Sequence, residues 1–353
     1  MCTDLENIME RESNNVKRVD NSDFVPKITY DEARKIIREM NLIDGYLFDS
    51  AIENEEDAKI VIGNILKSVF YRDFKDIRIE SQKQLNGVDT KYHGLRFDVH
   101  ITEDFNDGKL IATVYDVEME NRREDKKDLP KRLRFYGALH DVKLLESGAG
   151  YSELPEFVSI TILSYDPFNA GDMCYEAESV LISHPGIEYD DGIRHYYFYC
   201  NGRNNLNQIK SLYKSEDHRK RLSEMLKYIV SGEKPNEENP DISEVDSVVT
   251  KVKDKEGVTK GYMKWFDEVR YIKKDARREG KEKLLIEQVC KKLVKGKTVE
   301  VIAEEIEEDI DTISTIVKIA KDHIPEYDVD IIYDELRKEK EAEEDQNQSM
   351  NCI

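Results

Sequence analysis

The sequence lacks any long apolar run. A helix that crosses a bilayer needs about 18 or more consecutive apolar residues. No stretch of these 353 residues approaches that, charged residues make up 37% of the chain, and mean hydropathy is -0.68. No membrane association is expected. Residues 1–15 have neither a basic start nor an apolar stretch, so no signal peptide is expected and a cytoplasmic location follows by default. Cysteine is also sparse: Cys2, Cys174, Cys200, Cys290 and Cys352 are odd in number, scattered, and form no CxxC pair. That speaks against a disulfide framework and against a zinc site, and leaves small buried hydrophobes plus two thiols near the termini. Positive charge is in deficit as well. Lys and Arg number 54 against 75 Asp and Glu, a formal net charge of -21. Phosphate binding rests on Lys and Arg, so a nucleic-acid partner would have to meet a local basic patch within a repelling surface.

What is present divides the chain into segments. Residues 1–27 are polar and without periodicity, and read as a flexible arm. Thr29-Tyr30-Asp31-Glu32 has the form of a capping box opening a helix, with Ala33, Ile36, Ile37 and Met40 at helical spacing. Asn54 precedes a second helix with Ala58, Val61, Ile62, Ile65 and Leu66 facing inward. The period then drops to two. Leu95, Phe97, Val99 and Ile101 alternate with Arg96, Asp98 and His100, Asn106-Asp107-Gly108 signals a turn, and 111–120 reads as a second strand of a hairpin. A helix is expected over 129–145, strands over 157–163, 175–182 and 195–200, and helical spacing over 206–230. This mixture predicts an α/β domain over 28–232, a linker over 233–246, a helical region over 247–325, and a charged helix end with a disordered tail over 326–353.

On the second hairpin strand Asp116, Glu118 and Glu120 occupy alternate positions and share a face. With a turn near Gly108, Asp98 would stand opposite Glu118, about 5–6 Å away between backbones. Converging carboxylates repel unless a cation neutralises them, and hard oxygen donors suit Mg²⁺ or Mn²⁺. Spacing alone leaves a second reading open, a solvated polar strand face whose acids diverge into water. Arg122, Arg123, Lys126, Lys127, Lys131, Arg132 and Arg134 follow at once and form the densest basic stretch in the chain. In the C-terminal region Leu285, Val289 and Leu293, then Val299, Ile302 and Ile306, then Ile313, Ile316, Val317 and Ala320 form three helical stripes. The last two are joined by an acidic turn that suits packing or homo-oligomerisation better than base reading.

The runs Arg96-Phe97-Asp98-Val99-His100, Tyr115-Asp116-Val117-Glu118-Met119-Glu120-Asn121-Arg122 and Asp128-Leu129-Pro130-Lys131-Arg132-Leu133-Arg134-Phe135-Tyr136 resemble the recombination-promoting nuclease (Rpn) and transposase family of PD-(D/E)XK proteins. Ile28 to Arg34, Tyr165-Asp166-Pro167-Phe168 and Asp275 to Gly280 continue the resemblance in order along most of the chain. The resemblance implies a restriction-endonuclease-like core, a mixed sheet flanked by helices, and a link to mobile elements or DNA recombination. It implies that Asp98 and Glu118 are metal ligands for Mg²⁺ or Mn²⁺, and that Glu120 stands where the family carries Lys or Gln. An ionised Glu120 cannot offset phosphorane charge as lysine does, and is assigned as an extra ligand or general base. Arg122, Arg123, Lys131 and Arg132 are the expected DNA phosphate contacts. Asp49 and Glu53 are candidates for a further acid from an early helix. Three functions stand as expectations. The first is a Mg²⁺-dependent DNA endonuclease. The second is a lapsed relative that binds DNA or protein, and the third a structural protein assembled through its C-terminal helices.

Overall fold

The computed structural model of the chain describes residues 27–74, 77–81, 84–85, 95–96, 99–105, 110–121, 126–145, 148 and 150–350. The chain divides into two compact units, Thr29–Met263 and a C-terminal one from Lys264 onward. The arm expected over 1–27 and the turn expected at Asn106-Asp107-Gly108 lie outside the described residues, Lys27 excepted.

In the first unit, Thr29 caps α1 (Tyr30–Glu39) through a complete capping box with Glu32. A short helix, α2 (Gly45–Ala51), buries Leu47, Phe48 and Ala51. Asn54 caps α3 (Glu55–Phe70) by accepting from the Glu56 and Asp57 amides. These caps satisfy amide donors that the first helical turn leaves without a partner.

A six-stranded mixed sheet follows, in the order β1-β4-β5-β6-β8-β7. Its strands are β1 (Ile77–Ser81), β4 (Val99–Phe105), β5 (Leu110–Glu120), β6 (Glu156–Leu163), β7 (Cys174–Ala177) and β8 (Ile193–Tyr199). A separate ladder pairs β2 (Gln84–Leu85) with β3 (Leu95–Arg96). β4 and β5 form the antiparallel hairpin, with Val99 opposite Val117 and His100 opposite Asp116. β5, β6 and β8 run parallel, and the outer strands are antiparallel. The strand expected over 175–182 stops at Ala177. Its partner β8 begins at Ile193, and the ladder with β7 ends at Ala177 opposite His195, leaving Val180 and Ile182 exposed.

Helix α4 (Leu129–Leu144) lies on one face of the sheet. Its Leu129, Leu133, Tyr136 and Leu139 pack with Val114, Phe157, Leu163, Tyr165 and Tyr197. On the opposite face the Phe70 ring meets Tyr115 at 5.4 Å and Tyr196 at 6.1 Å. The central strands are therefore covered on both sides, and β6 is buried from Phe157 to Leu163.

The linker expected over 233–246 is shorter than its composition implies. Asn239 accepts from the Ile242 amide and caps α6 (Pro240–Asp254), after α5 (Glu216–Ser231). Asn-Pro here is a cap followed by a proline in the first turn, where the missing amide proton is no loss. Ile242, Val245 and Val252 are buried, and α6 packs on α3, where Lys251 meets the buried Asp57 at 2.9 Å. The first unit thus runs to Met263 instead of ending at 232.

A 38-residue helix, α7 (Glu256–Leu293), continues into the second unit. There α8 (Val299–Ile306), α9 (Ile310–Ala320) and α10 (Val329–Met350) bury Ile302, Ile313, Ile316, Val317 and Ile332 against Ile286 and Val289. α10 runs as helix through Met350, beyond the point where charge composition alone suggests a fraying end. Among the described residues no helix is long and apolar enough to cross a membrane.

Candidate functional site

β5 sits between β4 and β6, and its alternation decides which side chains share a face. Tyr115, Val117 and Met119 point one way. Val114, Asp116, Glu118 and Glu120 point the other, toward the face that α4 covers. Asp116 is fully buried, Glu118 is 7% exposed and Glu120 4%. Burying carboxylates is unfavourable unless charge or hydrogen bonds compensate, so this strand end is not a solvated acidic face.

Register extends the polar seam to the next strands. Ser159 stands beside Asp116, and Thr161 beside Glu118. Both are fully buried. His195 on β8 stands beside Ser159, and its Nδ1 lies 2.6 Å from the Ser159 hydroxyl. Burial pushes the His195 imidazole below its ordinary value, against a weaker pull upward from Asp191. His140, on the sheet-facing side of α4, is 2% exposed and lies against Phe157 with ring centres 5.5 Å apart.

α4 returns its first turn to the end of β5. Arg132 donates to Glu120 Oε2 at 2.6 Å, with the arginine side chain 21% exposed and the glutamate side chain 5%. Burial works against the guanidinium charge. The hydrogen bond to Glu120 and the fields of Glu120, Tyr136 and Glu118 outweigh it and hold Arg132 above its ordinary value. A cation brought by the helix therefore stands next to the strand position that itself lacks one.

The residues anticipated from sequence separate into three groups. Glu118 and Glu120 are brought together with Arg132. Lys131 is exposed on the first turn of α4, one residue from Arg132. Asp98, Arg122 and Arg123 lie outside the described residues. Of the early acids, Asp49 is half-buried on α2 and Glu53 is exposed.

Glu118 offers carboxylate oxygens, and the Thr161 hydroxyl beside it in the register is buried with no hydrogen-bond partner among the described residues. Among the described residues no group of three or more His, Cys, Asp or Glu side chains comes together as a metal site.

Sequence reading passed over Ser159 and Thr161. Ser159 and Thr161 alternate with Val158, Ile160 and Ile162, which does signal a strand with one polar stripe. Nothing in spacing tells that this stripe aligns with the acids of β5, because that pairing joins residues some 43 positions apart. Compared with known proteins, the chain matches no family model, no curated protein and no solved structure.

Proposed function

We propose that this chain is a metal-dependent DNA endonuclease with a PD-(D/E)XK-type core, in keeping with the Rpn-like motifs in its sequence. One observation carries the reading. Glu118 and Glu120 are buried at the carboxyl end of a central β-strand, and Arg132 of the following helix is bonded to Glu120. The carboxyl ends of parallel strands in α/β sheets are where ligands bind, and β5 and β6 are parallel there.

In this reading Asp98 and Glu118 hold a Mg²⁺ or Mn²⁺ ion. When bound, the ion would polarise the scissile phosphodiester and lower the pKa of the attacking water. Glu120 orients that water or accepts its proton. Arg132 offsets the carboxylate charge and faces the negative charge that develops on phosphorus. Lys131, exposed beside it, holds the phosphate backbone together with Arg122 and Arg123.

A second reading has its own support. Because Arg132 occupies Glu120, the carboxylate is committed to an ion pair, and the chain is then a lapsed nuclease that keeps the fold and binds DNA or protein. Purified protein incubated with supercoiled plasmid and Mg²⁺ or Mn²⁺ separates the two. Metal-dependent nicking that disappears in Asp98→Ala and Glu118→Ala is the expected result. Equal nicking by wild type and both variants would mark contamination and defeat the endonuclease reading. A silent wild type would favour the second.

A further inference from the structure

A chain with a formal charge of -21 carries, besides the basic run over 122–134, a second stretch of the opposite character. Residues 270–283, on α7 within the C-terminal unit, hold seven cations against three acids. Every residue from 271 to 278 is exposed. The helix here buries no face within its unit, because the stripe that enters the core begins at Leu285 and Ile286.

The acids of the stretch are already committed. Asp275 meets Arg278 at 3.5 Å, Glu279 meets Lys283 at 2.7 Å, and Glu282 meets Lys340 at 3.2 Å. Lys283 is also held by Asp330 at 2.7 Å. Lys273, Lys274 and Arg277 have no ion-pair partner among the described residues. A solvated helix stabilised only by its own charges would alternate signs at i,i+4. This one leaves three neighbouring cations over. Lys274, Arg277 and Lys281 fall at i, i+3 and i+7, one side of the helix, and span about 10 Å along its axis. Tyr271, 58% exposed, lies one turn before Lys274 on the same side.

We propose that residues 270–283 of α7 form a docking surface for the phosphate backbone of duplex DNA. Duplex DNA presents one negative charge for about every 1.7 Å of its axis, and a 10 Å cationic stripe meets several at once. The net charge of the chain repels DNA overall, so the contact is assigned to this helix. The inference rests on DNA being the substrate of the proposed site, and it assigns that substrate a second, sequence-independent contact.

The test uses the full chain in EDTA, so that binding is read without cleavage. Fluorescence anisotropy of a labelled mixed-sequence duplex, titrated at several salt concentrations, gives the slope of log Kobs against log salt. The variant Lys274→Gln/Arg277→Gln/Lys281→Gln is expected to lose about 2.7 from the magnitude of that slope, about 0.9 for each contact removed. The matched control Lys227→Gln/Lys234→Gln/Lys260→Gln is expected to leave it unchanged. These side chains are solvated, and circular dichroism should confirm equal helicity in all three proteins. An unchanged slope in the first variant, an equal loss in the control, or no duplex binding by wild type overturns the inference. So does binding of poly-glutamate in place of duplex, which would point to an acidic protein partner. Plasmid nicking with an unchanged slope removes this surface and leaves the endonuclease reading. A lowered slope in a protein that never nicks does the reverse.

Discussion

Arg132 and Glu120, twelve residues apart in sequence, are joined at 2.6 Å where strand β5 ends and helix α4 begins. The contact fixes how the helix leaves the sheet. It also sets the charge at the strand position on which the two proposed readings differ.

The pair's contribution to stability is testable by truncation. Removing one partner leaves a largely buried charge, and such losses cost about 3 kcal/mol. Arg132→Met and Glu120→Leu are each expected to lower the urea midpoint by a corresponding amount. The double variant is expected to recover most of it, because packed apolar groups replace a buried ion pair with little loss. Strict additivity of the two single effects would show that the pair is not coupled.

Charge reversal probes the same contact through activity. Glu120→Lys places an ammonium beside the Arg132 guanidinium, so the single variant is expected to be destabilised. Adding Arg132→Glu restores the pair in reverse and puts a lysine on the strand. If the lapsed-nuclease reading holds, this double variant nicks plasmid with Mg²⁺ where wild type is silent. A stable double variant with no nicking would weigh against lysine chemistry at position 120.

Two buried imidazoles predict a pH dependence. Nε2–H of His218 is shared between the Ser68 and Val69 carbonyls at 3.1 and 3.0 Å, and its Nδ1 has no partner among the described residues. Burial lowers the pKa of His218, in spite of those carbonyls, and lowers that of His195 as well. Unfolded histidine titrates near 6.5. Their contribution to stability is therefore complete above about pH 6.5 and is lost as pH falls through the folded values, since the unfolded chain takes up the protons first. Urea midpoints measured from pH 8 down to 5 should decline below about 6.5. His218→Gln and His195→Gln should each flatten that decline, and parallel curves for all three proteins would refute the assignment.

Two glycines should respond in opposite directions. A Cβ on Gly202 would lie 2.4 Å from the Asp172 carbonyl oxygen and 2.6 Å from Met173 Cα, both backbone atoms, so Gly202→Ala is expected to cost about 1–3 kcal/mol. A Cβ on Gly280, inside α7, meets nothing within 4 Å. Gly280→Ala is expected to add about 0.5–1 kcal/mol. Thermal midpoints of the two variants check both signs.

Local signals in the chain were legible where a few adjacent residues carry the whole effect. The Thr29 capping box, the Asn54 cap and the alternation of Asp116, Glu118 and Glu120 each depend on neighbours within four positions, and each appears as read. Strand ends were less legible. The 175–182 segment has strand composition, yet a strand persists only while a partner offers hydrogen bonds, and β8 supplies them as far as Ala177. Asn239-Pro240 falls in the segment 233–246 expected as a linker, because the same dipeptide suits a turn and a helix start. Burial of Ile242 and Val245 against the first unit decides for the helix.

The sequence by itself determined that three acids would share one face of a strand, because the period of an extended chain is two. Only the tertiary structure decided that this face is buried under α4, that Thr161 and Ser159 stand beside the acids, and that Arg132 takes Glu120 as its partner. Those relationships join elements 12 to 43 residues apart, and they are set by sheet register and by how α4 packs its apolar stripe, which no local pattern encodes.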